Sequence, residues 1–301
     1  MTVVVVTDSS ACVPPDLKAR YDIRVVPLHV LLDGVEFREG VDELPDSVFS
    51  SNATTSGAAP AELAAVYEAA IADSDGDGVL AVHISRQLSA TWESGRKAAL
   101  ELDGRIRLVD SRGAGLGCGF PVLAAARAAA AGADLDSVYE TTVSAAERAR
   151  SFIVVDRLDQ LRRGGRISTA AALLGTALAM KPLLQVTGGK LVLREKARTS
   201  GKAIAKLVDA ATQAAGAGPV SVAVHHLQAP ERAERIASAL RERLPNHTEL
   251  LITEFSAVLG VHVGAGAVGV VVVPEGAGAV EAGLSADSES AGGETAPEAG
   301  S

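Results

Sequence analysis

Aromatic residues are scarce: one Trp, three Tyr and five Phe make up 3% of the 301-residue chain. Any core must therefore be built from Ala, Val, Leu and Ile, which are abundant within a 48% hydrophobic composition. Cysteine is nearly absent. Cys12 and Cys118 stand far apart without CxxC spacing, which excludes a disulfide framework and a zinc site of the usual kind. Basic charge is in deficit, with 28 Lys and Arg against 37 Asp and Glu, a net charge of -9 and a pI of about 5.2. A nucleic-acid partner wants a basic face, so that role is argued against, although a local basic patch stays open. No run of about 18 uninterrupted apolar residues occurs, so no transmembrane helix is expected. The chain opens on TVVVV with no basic stretch before it, which predicts no signal peptide and a cytoplasmic location. The GxSxG nucleophile elbow is missing too.

What is present is an alternation. Val3–Val6 is a β-branched run and reads as a buried strand. Pro14 and Pro15 then favour the start of a helix running to about Tyr21. Ile23–Leu32 reads as a strand ended by the Asp33-Gly34 turn, and Val41–Ser51 as one short helix at most. Pro60–Ala72 is an Ala-rich helix with Leu63, Val66, Tyr67 and Ile71 on one face. Val79–Ile84 is a strand, followed by a hydroxyl-rich turn and a helix beginning near Ser89. Arg105–Val109 is a strand, and Leu116–Ala131 and Leu135–Arg150 are helices. The first half is thus the β-α-β-α pattern of a parallel sheet covered by helices.

Beyond Phe152–Val155 the pattern changes. Ser168 looks like the N-cap of a helix through Met180. Leu183–Val186 and Leu191–Glu195 flank Gly188-Gly189, which marks a tight hairpin and so antiparallel pairing. The expected fold class is α/β with two domains. Residues 1–150 form a parallel α/β/α sandwich, and residues 151–274 form an α/β domain with a mixed or antiparallel sheet. Residues 275–301 are Gly-, Ala-, Ser- and Glu-rich without periodicity and read as a disordered tail.

Three hydroxyl-rich loops follow strand-like runs: Thr7–Ser10, Thr54–Ser56 and Ser85–Ser89. Converging at one sheet edge, they would offer neutral donors suited to a carboxylate or phosphate oxygen. Helix N-terminal amides favour the same anion. A lone serine there can equally serve only as a cap. His83 reads as a core or sheet-face histidine, since alternation sends its side chain away from that of its neighbour. His262 lies in a glycine-rich run and is either a satisfied histidine in a bulge or a donor to an anion and relay for a proton. Arg198, in REKART, is either a surface charge or a forked phosphate contact. His225-His226 lacks a carboxylate at ligand spacing and is not read as a metal site.

Seven blocks in order then resemble the DegV family, the fatty-acid-binding proteins that serve bacterial fatty acid kinases as FakB subunits. They are TDSSACVPPDL, TTSGAAPAEL, HISRQLSATW, VDSRGAGLGCG, LRRGGRIS, KPLL with REKART, and VHVGAGAVG. The resemblance reaches to about Val273. Arg86, Ala90, Ala58-Ala59 and Ala265 depart from the usual residues of these blocks. The resemblance implies a non-enzymatic carrier that buries one long-chain fatty acid in a tunnel and presents its carboxylate to a fatty acid kinase. It implies that Thr55, Ser56 and either Ser85 or Ser89 hold the carboxylate. His262 and Arg198 would meet the phosphate of the acyl-phosphate product, and Arg166 would lie on the face that docks the kinase. The carrier would supply no catalytic residue, cofactor or metal of its own, and would touch a membrane surface only transiently. The rival expectations are a serine-dependent hydrolase or acyl transferase using Ser85 or Ser89 with His262, and a lipid or anion sensor without a kinase partner.

Overall fold

The structure is a computed structural model that describes residues 3–49, 51–102, 105–167 and 180–275. The first half runs β1 (Val4–Asp8), α1 (Pro15–Arg20), β2 (Arg24–Val26), β3 (His29–Leu32), β4 (Val35–Arg38), β5 (Thr54–Ser56), α2 (Pro60–Asp73), β6 (Val79–His83), α3 (Thr91–Glu101), β7 (Ile106–Asp110), α4 (Leu116–Ala130) and α5 (Leu135–Arg148). The second half runs β8 (Arg150–Val154), α6 (Asp159–Arg163), β9 (Lys181–Thr187), β10 (Lys190–Ala197), α7 (Ser200–Ala215), β11 (Val220–His226), α8 (Pro230–Arg243), β12 (His247–Glu254), α9 (Ala257–Val263) and β13 (Val268–Pro274).

The β-branched runs of the first half build a parallel sheet in the order β2-β1-β6-β7. Its central strands β1 and β6 are apolar on both faces because both are covered. Val5, Leu80, Val82 and Val109 face α4 and α5, while Val6, Val79 and Ala81 face Leu63, Tyr67 and Ala98 of α2 and α3. The second half builds a six-stranded sheet in the order β10-β9-β8-β13-β11-β12. Only β11 and β12 pair in parallel there, so the sheet is mixed. Its outer face packs Val222, Val224, Val270 and Val272 against Ala203, Leu207, Ile236 and Leu240 of α7 and α8.

The inner face of the second sheet meets the same two helices that cover the first. Ala223, Val271 and Val273 join α4 and α5 in one core cluster. This explains why α4 is apolar all round: 11 of its 15 residues are buried, since it lies between two sheets. The order of layers is α2/α3, parallel sheet, α4/α5, mixed sheet, α7/α8.

The expected pattern is departed from before α2, where Thr54–Ser56, expected as a loop, is strand β5. The strand expected over Ile23–Leu32 is two strands, broken at Pro27, whose missing N–H cannot continue a ladder. After the break, β3 leaves the main sheet and forms a small antiparallel sheet in the order β4-β3-β5. Its pairing Val30↔Thr55 places Thr55 beside the edge of the main sheet. The helix expected from Ser168 and the tail expected beyond Glu275 lie outside the described residues. Among the described residues, no helix is long and apolar enough to cross a membrane.

Candidate functional site

A largely apolar cavity runs inward from the edge where the three sheets meet. Its apolar walls include Ile153 and Val271 of the mixed sheet's inner face, with Leu259 and Val263 of α9. Its mouth is polar and draws residues from both halves of the chain: Thr55, Ser56, Ser89, Arg166 and His262.

Thr55 and His262 form the centre of this mouth. Thr55 Oγ1 lies 2.7 Å from His262 Nε2. Thr55 is held by its ladder position on β5, and His262 by the last turn of α9. The glycine-rich run that carries His262 is therefore a short helix followed by a turn at Gly264 and Gly266, and not a bulged strand. Gly164 leaves room for the ring, because a Cβ there would stand 2.3 Å from His262 Nδ1. Burial, reinforced by the Arg166 cation, lowers the imidazole pKa to about 4. The working form at neutral pH, before any anion enters, is therefore the uncharged ring.

Ser89 lies in the loop between β6 and α3 and faces the cavity. Its Oγ is 2.9 Å from Thr91 Oγ1 and accepts from the Thr91 amide at 3.3 Å. Gly57 brings the Thr55 segment against this loop, since a Cβ on it would come 2.7 Å from Thr91 Oγ1 and 3.1 Å from Ser89 Oγ. Ser56 is exposed at the rim. Ser85 is elsewhere: it is fully buried, donates to the Gly189 carbonyl at 2.9 Å, and is not part of the cavity lining. Of the two serines left open by the sequence, Ser89 is the one at the mouth.

The two arginines named from the sequence stand at different places. Arg166, expected on the face that docks a kinase, is half-buried at the mouth, with Nε donating to the Leu88 carbonyl at 3.1 Å and a second nitrogen to the Gly164 carbonyl. Its side chain is turned inward because these carbonyls satisfy it there. Arg198, expected beside His262, is exposed just past the end of β10 and does not line the cavity. Of the two histidines doubted as metal ligands, His225 has another role. His225 is buried at the cavity wall, stacks on Phe255 at 4.8 Å, and accepts from the Leu116 amide at 2.8 Å. Burial lowers its pKa to about 3.

An α/β fold with two sheets sharing a helical layer, and an apolar cavity headed by hydroxyls, an imidazole and a guanidinium, defines the class of this protein. The family described as "Uncharacterised protein, DegV family" matches residues 2–275. The chain belongs to the DegV family. A DegV domain-containing protein of Mycobacterium tuberculosis is 53% identical over 272 residues, covering 90% of this chain and 97% of the relative. A DegV family protein from Thermus thermophilus, described by its fatty acid binding, superposes with a TM-score of 0.85 at 32% identity, over 91% of this chain and 100% of the other. DegV from Bacillus subtilis, described as a fatty acid binding protein, gives a TM-score of 0.82 at 30% identity, over 91% and 100%.

Proposed function

We propose that this protein carries a long-chain fatty acid in the cavity and presents its carboxylate to a fatty acid kinase for acyl-phosphate formation. The observation that supports this most is the pairing of Thr55 with His262 at the polar mouth of an apolar channel. Burying each methylene is worth about 0.8 kcal/mol, so a chain with ~14 of them gains roughly 11 kcal/mol on leaving water. The carboxylate must then find hydrogen bonds once desolvated. Thr55 and Ser89 supply neutral donors, and the α3 N-terminus adds a favourable field. Neutral donors leave the carboxylate able to attack a phosphoryl group brought by another protein. Fatty acid binding by the Thermus and Bacillus relatives supports the same reading.

Within this reading the roles of the two arginines follow their positions. Arg166 stands beside His262 and meets the new phosphate, for which a guanidinium fork is suited. Arg198, being exposed, acts only through whatever docks on that face.

The enzyme reading has one point in its favour, the 2.7 Å Thr55–His262 approach, which is nucleophile-to-base distance. It lacks the third group: among the described residues, no acidic side chain hydrogen-bonds His262. Native mass spectrometry of the protein as expressed, followed by incubation with a fatty acid kinase and ATP, tests the proposal. The expected result is a co-purified long-chain fatty acid that becomes acyl-phosphate only when the kinase is present. An empty protein that cleaves activated esters by itself would overturn it.

A further inference from the structure

α9 is seven residues long, and its N-cap residue, Ser256, makes no side-chain cap to it. Its first amides are met from the other half of the chain instead. The Val258 amide donates to Glu39 Oε1 at 3.1 Å, and the Ser256 amide meets Cys12 Sγ at 3.4 Å. Glu39 is part-buried just beyond β4, and its own amide is fixed on the Leu28 carbonyl at 2.8 Å. Burial raises its pKa, against hydrogen bonds from Ser9 and from the Val258 and Ala257 amides.

The stretch of chain from the end of β4 to β5 therefore meets α9 at its start, middle and end. Glu39 holds the first turn, and Thr55 meets His262 in the last. Phe49 lies against the middle, where a Cβ on Gly260 would come 2.5 Å from the Phe49 ring. A seven-residue helix spans only about 10 Å, so tilting or fraying its start moves its end. Isolated helices of this length have no stability of their own, which makes the outside cap decisive. The Glu39 carboxylate also complements the positive end of the helix.

We propose that Glu39 is a positioning residue for His262: its carboxylate caps the helix that carries the imidazole and so sets the ring's approach to Thr55. This rests on the reading of Thr55 and His262 as the head-group site. Glu39 does not line the cavity.

The test is made on the full chain with ¹⁵N-labelled histidine rings, the His262 signals being identified from H262Q. Glu39→Asp keeps the charge but withdraws the carboxylate by a methylene, and Glu39→Gln keeps an acceptor oxygen in reach. In E39D and E39A the His262 ring signals are expected to shift and its titration midpoint to move up towards the ordinary histidine value, while His225 stays where it is. E39Q is expected to leave the His262 signals near those of the parent. In the kinase-coupled assay, E39D is expected to keep its lipid and lose acyl-phosphate yield between about 10- and 100-fold, the scale of a small misplacement. In an H262A background E39D is expected to add no further loss. Unchanged His262 signals in E39D and E39A would overturn the proposal, as would equal losses with and without His262. The ring measurement needs neither lipid nor kinase. A protein found to carry no fatty acid would therefore remove the functional reading and leave the Glu39 result standing.

Discussion

Ser85 Oγ donates to the Gly189 carbonyl at 2.9 Å, joining the β6–α3 loop to the tip of the β9–β10 hairpin across 104 positions of sequence. Gly189 has a φ of 79°, and a Cβ on it would come 2.3 Å from Ser85 Oγ, so both its backbone conformation and its closeness require glycine. The bond links the two halves of the chain a few residues from the cavity mouth. Ser85→Ala is therefore expected to lower unfolding stability by about 1 kcal/mol, the usual net worth of such a bond, while the bound lipid stays. Urea unfolding with lipid occupancy by mass spectrometry checks this. Lipid loss at unchanged stability would return Ser85 to the head group.

The complementary outcome is expected at Thr55 and Ser89. Thr55→Val and Ser89→Ala each remove one donor from the mouth, worth about 0.5–1.5 kcal/mol, or up to ~3 against a buried charge. Lipid retention through dilution and gel filtration should fall in each variant and further in the double. A double variant that keeps lipid like the parent would place the clamp elsewhere.

Much of this arrangement was legible in sequence, and the gaps have physical causes. The β-branched runs Val4–Val6 and Val79–Val82 gave themselves away because strands buried on both faces are apolar throughout. The Gly188-Gly189 hairpin followed from turn chemistry alone. The small sheet was not legible, because hydrophobic pattern does not say which sheet a strand joins; Pro27, sitting inside the expected strand, was the available signal. That Arg166 and not Arg198 lines the cavity was hidden for a related reason. Both lie within recognisable blocks, but only the fold tells an inward guanidinium from an outward one. Glu39 carried no signal, since its partner lies 219 positions away. His83 was read as a core or sheet-face histidine and is fully buried, yet its bonds to Asp8 and Tyr67 come from residues distant in sequence.

That buried row makes a separate prediction. His83 Nδ1 lies 3.0 Å from Asp8 Oδ2, and its Nε2 lies 2.7 Å from Tyr67 Oη. Asp8 Oδ2 also accepts from the Ile84 amide at 2.9 Å, at the point where the chain enters the Ser85–Ser89 loop. Tyr67→Phe strands a fully buried ring nitrogen and is expected to cost about 1–3 kcal/mol. The denaturant midpoint should drop with the slope unchanged. A midpoint equal to the parent's would mean the ring finds another partner.

Acid should weaken the fold before the carboxylates titrate. His225 protonates at about 3 in the folded chain and near its ordinary value of 6.5 when unfolded. Below pH 6.5 the unfolded chain therefore binds a proton that the folded chain refuses, and stability falls as pH falls. By pH 5 this amounts to about 2 kcal/mol for His225. His262, held to about 4, acts in the same direction over the same window. Unfolding midpoints compared at pH 7 and pH 5 should show the loss, and H225Q should flatten it. A profile equally steep in H225Q would assign the loss to other groups.

The two arginines give the sharpest separation of binding from transfer. Arg166 is anchored at the mouth by the Leu88 and Gly164 carbonyls, which leaves the rest of its fork free to meet an incoming phosphate. A phosphate carries more charge than a carboxylate, so the guanidinium matters more to product than to substrate. Arg166→Ala is expected to retain fatty acid and to lose acyl-phosphate formation by at least about 10²-fold, on the scale of other arginines that stabilise phosphoryl transfer. Arg198→Ala, on the exposed face, is expected to retain fatty acid and to react normally once the kinase is raised to saturation. The measurement is acyl-phosphate yield against kinase concentration, beside lipid occupancy. Loss of lipid in step with activity in R166A would show that the guanidinium holds the carboxylate itself. A rate defect in R198A that saturating kinase leaves uncorrected would return that residue to the phosphate.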